Sequence, residues 1–180
     1  CLLSRGLGDV YKRQMRERRE AGFARRIVRQ TSGEGHPLLE GRPRVFDAPA
    51  IHTDEVEALP PGGSLLASNA VTRVQAAEIR HDGGVFWGVQ YHPEISLREV
   101  AAALRRQADD LIEQGLARAT SDVETHAALI EALYGEPERR DLAWRLGVDE
   151  QITDPTRRMT ELRNFVTSLV LPVRSARGRG

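Results

Sequence analysis

The sequence has only one cysteine, Cys1, which excludes an internal disulfide framework and a cysteine-ligated metal site. Basic and acidic side chains balance at 26 each, so no bulk field would attract nucleic acid or an anionic membrane. No apolar run approaches the roughly 20 residues that span a bilayer, and no export signal pattern is found at the start. We therefore expect a soluble, cytoplasmic protein with no nucleic-acid or membrane partner.

Lysine is as scarce as cysteine. The single lysine, Lys12, lies with Cys1 in "CLLSRGLGDVYKRQ", whereas from Met15 onward every basic residue other than histidine is arginine. This bias is typical of a GC-rich coding sequence, and "DVYKRQ" resembles the translation of a transposase adapter used to prepare sequencing libraries. We expect residues 1–14 to be non-native sequence joined to an N-terminally truncated protein. The alternative is a genuine N-terminal arm.

Residues 15–97 have the pattern of strands and turns. The strand candidates are "EAGFARRIVRQ", "RVFDAPAIHTDEV", "SLLASN", "VQAAEIRH" and "VFWGVQYH". The second is expected to end at His52–Thr53. The last is almost continuously apolar, which predicts a strand covered on both faces. A short helical turn is expected at Pro37–Leu39, and a hairpin turn at Asp82–Gly84.

Residues 98–180 have helical periodicity instead. Ser121 and Glu124 predict a capping box at the start of a second helix, and Gly147 is expected to end a third. Asp154 followed by Pro155 predicts the start of a last helix. The residues expected on the buried face of that helix are Met159, Leu162, Phe165, Val166 and Leu169. We also expect Trp87 and Trp144 to pack in a core or between helices.

The stretch "FWGVQYHPEIS" carries the most specific chemistry. In an extended segment, side chains at i and i+2 share one face, so His92 and Glu94 project together. The carboxylate can hold one imidazole nitrogen, which leaves the other as a general base toward a nucleophile. Spacing alone is weak evidence, since a His-Pro-Glu sequence can also be a simple turn at a strand end.

The wider context strengthens the catalytic interpretation. "GVQYHPE" after an apolar strand resembles the C-terminal signature of class I (triad-type) glutamine amidotransferases, and "AIHTDEVEALPPGGSLLASN", "VQAAEI", "GFARRI" and "HPLLEG" resemble segments that precede it in that family. The best resemblance is to stand-alone members similar to the glutaminase domain of GMP synthase, and it covers about residues 20–96.

The resemblance implies an α/β fold, with a flavodoxin-like, mostly parallel sheet flanked by helices in the intact domain. Residues 15–97 would be the C-terminal part of that domain. Residues 98–180 would be a helical C-terminal extension. With the first strands missing, apolar surface would be uncovered, so we expect poor stability of the chain as given.

The resemblance also implies roles for individual residues. His92 matches the general base, and Glu94 matches the residue that orients it. Ile51, His52 and Thr53 match a loop whose backbone lies near the α-amino and α-carboxylate groups of bound glutamine, with the His52 side chain held at the rim. No cofactor is implied. A metal site formed by His52, His92 and Glu94 is a disfavoured alternative, so we predict no metal.

The nucleophile of the family pattern is missing. It should lie in a "G-x-C-x-G" elbow upstream of Gly22, but no such motif occurs, and Cys1 lacks the elbow glycine. The same region would supply the oxyanion-hole donors, each worth about a hundred- to a thousand-fold in rate. We therefore expect the chain as given to be inactive.

The expected activity of the parent protein is glutamine amide hydrolysis, with glutamine as substrate and ammonia passed to a synthase or acceptor partner. Two alternatives stay open. One is a γ-glutamyl peptidase or hydrolase on the same fold, and the other is a non-catalytic interaction protein.

Overall fold

The computed structural model describes residues 13–172, apart from the side chains of residues 13–19 and Thr53. Five strands form one sheet in the order β2-β1-β3-β4-β5. They are β1 (Arg13–Arg29), β2 (Val45–Val56), β3 (Gly63–Ser68), β4 (Ala76–His81) and β5 (Gly84–Val89). All these neighbours pair antiparallel, whereas the resemblance implied a mostly parallel sheet for the intact domain.

Helices follow the last strand, so the expected α/β class is confirmed. They are α1 (Leu97–Arg106), α2 (Ala108–Glu113), α3 (Thr120–Gly135), α4 (Arg140–Leu146), α5 (Glu150–Thr153), α6 (Pro155–Arg158) and α7 (Thr160–Phe165), with a π-helical turn at Val166–Val170. Two 3-10 turns lie at Thr31–Gly33 and Pro37–Leu39. Among residues 13–172, none of these helices is long and apolar enough to cross a membrane.

Several local predictions are confirmed because they rest on backbone chemistry. The 3-10 turn at Pro37–Leu39 forms as expected. Asp82 and Gly83 close the β4–β5 hairpin with φ of 46° and 76°, the left-handed pair that a two-residue hairpin favours. Gly147 ends α4 with φ of 61°. The Asp154 side chain accepts the backbone N–H of Thr156 and caps α6.

The described residues form three apolar clusters, of which the two larger ones are the main cores. The first packs the apolar sides of α1 and α3 against β1, where Phe23 meets a cluster that includes Val100, Leu104, Ala127 and Ile130. The second is formed by other residues of the sheet together with the Pro37–Leu39 turn and Tyr91, and includes Ala24, Ile27, Leu39 and Trp87. The end of β5 and the start of α1 therefore adjoin both cores, which positions the segment between them.

The environment predicted for β5 is wrong. β5 is at one end of the described sheet, and along it only Trp87 and Gly88 are buried. Val85, Phe86 and Val89 are half-buried. The apolar run arose because one face and part of the other are covered, which periodicity cannot distinguish from full burial.

The predicted capping box is also wrong. Helix α3 begins at Thr120, so Ser121 lies inside it, and its N-cap residue, Ala119, has no side-chain cap. The capping box forms instead at the start of α1. There Ser96 accepts the Glu99 backbone N–H, and the Glu99 carboxylate accepts the Ser96 backbone N–H at 2.6 Å.

The last helical segment is inverted relative to the prediction. Met159, Leu162, Phe165 and Val166 are 36–46% exposed. Leu169 packs against a core, and one edge contact joins the Phe165 ring to Trp87 with the centroids 6.5 Å apart. The polar face is buried instead, through Arg158, Thr160, Glu161 and Asn164. Asn164 shows the reason, because its side-chain amide donates to the carbonyl oxygens of Leu38 and Glu40 at 3.0 and 2.8 Å. The docking of this segment is therefore largely polar.

The two tryptophans differ. Trp87 is buried as expected, and its Nε1 donates to Glu78 at 2.7 Å. Trp144 is 85% exposed, so its predicted packing in a core or between helices is wrong. Its helix buries Leu142 and Leu146 instead, which leaves Trp144 on the outer side.

Candidate active site

The His-Pro-Glu turn lies directly after β5 and is fixed at its backbone. The His92 backbone N–H donates to the Pro49 carbonyl oxygen of β2 at 2.7 Å. The Ile95 backbone N–H donates to the His92 carbonyl oxygen at 3.4 Å. Tyr91 and Pro93, on either side of His92, are both buried. The turn is therefore held against the middle of β2.

His92 and Glu94 form a hydrogen-bonded pair. The Nδ1–H of His92 donates to Oε1 of Glu94 at 2.8 Å, which fixes Nδ1 as the donor. Within the described part of the chain, Nε2 of His92 has no hydrogen-bond partner. This nitrogen is therefore available to take a proton from a third group.

The electrostatics of the pair favour an ionised carboxylate. Burial by itself would raise the pKa of Glu94, but hydrogen bonds from His92 and a backbone N–H, together with the charge interaction with His92, hold it below the ordinary value of 4.5. The side chain of Glu94 is 51% exposed and that of His92 only 17%. Glu94 thus presents a negative charge to an imidazole that is largely shielded from water.

His92 also lines a groove of about 390 Å³. The groove lies between the edge of the turn and helix α1, and its lining includes Ile51, Ile95, Glu99, Ala103 and Arg106. It combines an apolar wall with one acidic and one basic side chain. That combination suits a small polar substrate.

A family model described as "Glutamine amidotransferase class-I" matches residues 2–110, which is more than half of the chain. The chain belongs to this family. The match runs past the His-Pro-Glu turn and through α1, so the turn and the helix behind it both lie inside the amidotransferase region.

Curated relatives agree with this assignment. The γ-glutamyl-L-1-hydroxyisopropylamide hydrolase of a Pseudomonas species is 35% identical over 156 residues, which cover 85% of this chain and 52% of that protein. A GMP synthase (glutamine-hydrolyzing) subunit of Archaeoglobus fulgidus is 31% identical over 106 residues, which cover 59% of this chain and 56% of that protein. The chain thus spans about half the length of these two relatives.

A solved structure shares the fold. The crystal structure of SMU.1228c matches with a TM-score of 0.50 at 21% identity, covering 77% of this chain and 56% of that one. At this level of identity the likeness concerns the fold alone.

In this member of the family, the segment expected as a substrate-binding loop is part of a strand. Ile51, His52 and Thr53 lie inside β2, which continues to Val56, so the predicted strand end is wrong. Ile51 pairs with Ala21 and His52 with Glu20 across the β1–β2 ladder. The later pairs, Met15 with Asp54, Gln14 with Glu55 and Arg13 with Val56, extend the strand beyond the expected end and are invisible in the local sequence.

The three residues relate differently to His92. Ile51 lines the same groove as His92. The His52 side chain is bound elsewhere, since Nδ1 lies 3.0 Å from the Asp54 carbonyl oxygen and Nε2 lies 2.9 Å from the Glu20 carboxylate. The side chain of Thr53 lies outside the described part of the structure. A metal site of His52, His92 and Glu94 therefore does not form, and among the described residues no cluster of three or more His, Cys, Asp or Glu side chains could hold a metal ion.

Sequence reasoning missed the buried cluster around Glu20. Its carboxylate accepts hydrogen bonds from four side chains: His52 at 2.9 Å, Asn69 at 2.5 Å, Thr72 at 3.0 Å and Gln75 at 2.7 Å. Burial would raise the pKa of Glu20, but hydrogen bonds from His52, Asn69 and Gln75, together with the electrostatic interaction with His52, lower it from its ordinary value of 4.5. One feature of the sequence could have indicated this cluster. Glu20 and Ala24 are four residues apart in a strand, so they share a face, and Ala24 is apolar.

The Glu20–His52 contact bridges two neighbouring strands. Both ring nitrogens of His52 face oxygens that can only accept, one from a carbonyl and one from an ionised carboxylate. Each ring nitrogen of His52 therefore has an oxygen within hydrogen-bond distance. The pair joins β1 to β2 beside the groove.

The expected non-native segment lies almost wholly outside the described residues. Only Arg13 and Gln14 are described, as part of β1. The family match begins at residue 2 and so includes most of that segment. The assignment of residues 1–14 stays a prediction, and Cys1 lies outside the description.

Proposed function

We propose that the protein hydrolyses the side-chain amide of glutamine, with His92 as the general base and Glu94 as the residue that orients it. One observation carries the proposal. The Nδ1–H of His92 is held by Glu94 at 2.8 Å, while the groove beside His92 can admit a small polar substrate.

The first half of the reaction forms a thioester. A cysteine thiol gives its proton to Nε2 of His92, and the thiolate attacks the side-chain carbonyl carbon of glutamine. His92 then donates that proton to the leaving nitrogen, the C–N bond breaks, and ammonia departs. Glu94 stabilises the imidazolium that exists between these two steps.

The second half regenerates the enzyme. His92 accepts a proton from water as the hydroxide oxygen attacks the thioester carbonyl. The C–S bond breaks, the thiolate recovers the proton, and glutamate leaves. The nucleophile is proposed to lie upstream of β1 in the full-length protein, because residues 13–172 contain no cysteine. Ammonia would pass to a synthase or acceptor partner, or be released if the protein acts alone.

A second candidate substrate is an N-substituted γ-glutamyl amide, which would be cleaved by the same steps with an amine as leaving group. The observation that favours this substrate is how much of the chain aligns with a γ-glutamyl amide hydrolase. The γ-glutamyl-L-1-hydroxyisopropylamide hydrolase aligns over 85% of this chain, whereas the GMP synthase subunit of Archaeoglobus fulgidus aligns over 59%. The former alignment must therefore include part of the helical extension.

The test uses the full-length gene product. Glutamate release is measured with glutamine and with γ-glutamyl-L-1-hydroxyisopropylamide, for the wild-type protein and for His92→Ala. We expect His92→Ala to lose at least about a hundredfold in kcat on the preferred substrate, because proton transfer by a positioned base is typically worth about 10²–10⁴.

The two substrates separate the candidate functions. A higher kcat/KM for glutamine supports the amidotransferase, and a higher value for the substituted amide supports the hydrolase. Full activity of His92→Ala on either substrate would refute the assigned base. No turnover of either substrate by the wild-type protein would favour a non-catalytic interaction protein.

A further inference from the structure

A second buried carboxylate lies behind the catalytic turn. Glu161, in helix α7, is 2% exposed. Its Oε1 accepts Nε–H of Arg42 at 2.7 Å and its Oε2 accepts Nη2–H of Arg42 at 2.8 Å, a two-pronged pair. Its Oε1 also accepts the hydroxyl hydrogen of Tyr91 at 2.8 Å. Three charge-assisted hydrogen bonds therefore fix Glu161 in a site without access to water.

Arg42 extends this cluster to the rest of the helical extension. Its Nη1 donates to Gln151 Oε1 at 2.9 Å, and its Nη2 donates to the Arg158 carbonyl oxygen at 2.8 Å. Its guanidinium carbon also lies 4.7 Å from the centre of the Phe46 ring. The Arg42 guanidinium thus joins the loop before β2 to helices α5, α6 and α7 of the extension.

Tyr91 connects this cluster to the candidate site. It is the residue directly before His92, so the two Cα atoms are about 3.8 Å apart. Its ring is buried edge-on against Phe46 with the centroids 5.7 Å apart, and its hydroxyl is held by Glu161. On the other side, the His92 backbone N–H is held by Pro49. The peptide that carries His92 is therefore fixed from two directions.

We infer that Glu161 is a positioning residue for His92, acting through the hydroxyl of Tyr91. The hydrogen bond from Tyr91 to Glu161 fixes the Tyr91 ring, and the buried ring fixes the backbone at His92. This backbone determines the position of the imidazole relative to Glu94. The helical extension thereby contributes to catalysis without touching the substrate. This inference rests on the proposed role of His92 as the base.

A purely structural cluster would behave differently. It would lower the stability of the protein when broken, but the folded molecules would turn over at the normal rate. A positioning cluster changes kcat in the folded molecules, because misplacing a reacting group by about 1 Å can cost about a hundredfold.

The first test compares two tyrosine variants of the full-length protein. Tyr91→Phe removes only the hydroxyl and leaves the Arg42–Glu161 pair in place. Tyr134→Phe is the matched control, since Tyr134 is 49% exposed. We expect Tyr91→Phe to lower kcat by about tenfold or more with KM within about twofold, and Tyr134→Phe to change neither. Glu161→Gln should lower kcat similarly, and Tyr91→Phe remains informative if Glu161→Gln fails to fold.

The second test reads the imidazole directly and needs no turnover. The Nδ1 proton of His92, held by Glu94, should give a downfield NMR signal, assigned by its loss in His92→Ala. We expect the signal to broaden or shift upfield in Tyr91→Phe and to stay in place in Tyr134→Phe. An unchanged signal together with an unchanged kcat in Tyr91→Phe would overturn the inference.

The two proposals fail in distinguishable ways. If His92→Ala retains full turnover, the proposed base is wrong, and the NMR signal still decides whether Tyr91 positions the imidazole. If His92→Ala is inactive while Tyr91→Phe has wild-type kcat and an unchanged signal, only the positioning role is wrong.

Discussion

The imidazole Nε2 of His52 lies 2.9 Å from Oε2 of Glu20, and this shielded contact joins strands β1 and β2. Three further side chains donate to the same carboxylate, so protein groups satisfy the hydrogen-bonding capacity of Glu20. His52 is therefore held by the fold, while Ile51, its neighbour, faces the groove beside His92.

Removing Glu20 should destabilise the protein strongly. Glu20→Ala leaves four hydrogen-bonded side chains without their shared acceptor, and each buried polar group left unsatisfied typically costs about 1–3 kcal/mol. Urea unfolding at pH 7 measures this loss. The control is Glu113→Ala, at an exposed position in α2, which should change the free energy of unfolding by less than about 0.5 kcal/mol. A loss below about 1 kcal/mol for Glu20→Ala would contradict the buried pair.

Stability should fall as the pH is lowered below the ordinary glutamate range. The pKa of Glu20 in the folded protein is below 4.5, since the hydrogen bonds from His52, Asn69 and Gln75 outweigh burial. Its ionised form therefore contributes stability that is complete above about pH 4.5 and is lost as the pH falls through the lowered folded pKa.

The measurement for this pH effect is the free energy of unfolding between pH 7 and pH 3. Glu20→Gln should have a shallower loss than the wild-type protein. Part of the loss should remain in the variant, because hydrogen bonds from Arg80, Trp87 and His36 also outweigh burial and lower the pKa of Glu78. Identical pH profiles for the two proteins would contradict the prediction.

Two serines give a matched test of helix capping. Ser96 caps α1 through the backbone N–H of Glu99, whereas Ser121 lies inside α3. Ser96→Ala should cost about 1 kcal/mol and Ser121→Ala less than about 0.5 kcal/mol, both measured by urea unfolding. Equal costs for the two substitutions would show that the α1 cap contributes nothing.

Glu94→Gln should impair catalysis without much effect on folding. The glutamine can still accept the Nδ1–H of His92, but it lacks the charge that stabilises the imidazolium. We expect kcat of the full-length protein to fall by about a hundredfold or more, with KM little changed. The control is Glu99→Gln, at an exposed residue of the groove wall. It measures the fall in kcat that follows from removing a nearby negative charge.

Features with local causes could be predicted from the sequence. The turn at Pro37–Leu39, the Asp82–Gly83 hairpin and the stop at Gly147 each depend on proline or glycine backbone preferences. The His92–Glu94 hydrogen bond follows from the i, i+2 geometry of an extended segment. Such contacts join residues that are neighbours in the chain.

Features with distant partners could not be predicted. Glu20 reaches Gln75 across a separation of 55 residues, and Arg42 reaches Glu161 across 119. The inverted last helix has the same cause. Periodicity identified its apolar side, but the distant partners of Asn164 and Glu161 decide which side is buried. Periodicity measures how residue types alternate along a helix and carries no information about which partners exist elsewhere.

The central claim is that His92 activates a cysteine nucleophile, and the formation of the γ-glutamyl thioester tests it most directly. The full-length protein is mixed with glutamine, quenched in acid and followed by intact-mass spectrometry. The control is His81→Ala, since the side chain of His81 is 81% exposed and lies in the β4–β5 hairpin. We predict that the adduct forms in the wild-type protein and in His81→Ala at the same rate, and at least about a hundredfold more slowly in His92→Ala. Formation of the adduct in His92→Ala at the wild-type rate would contradict the account.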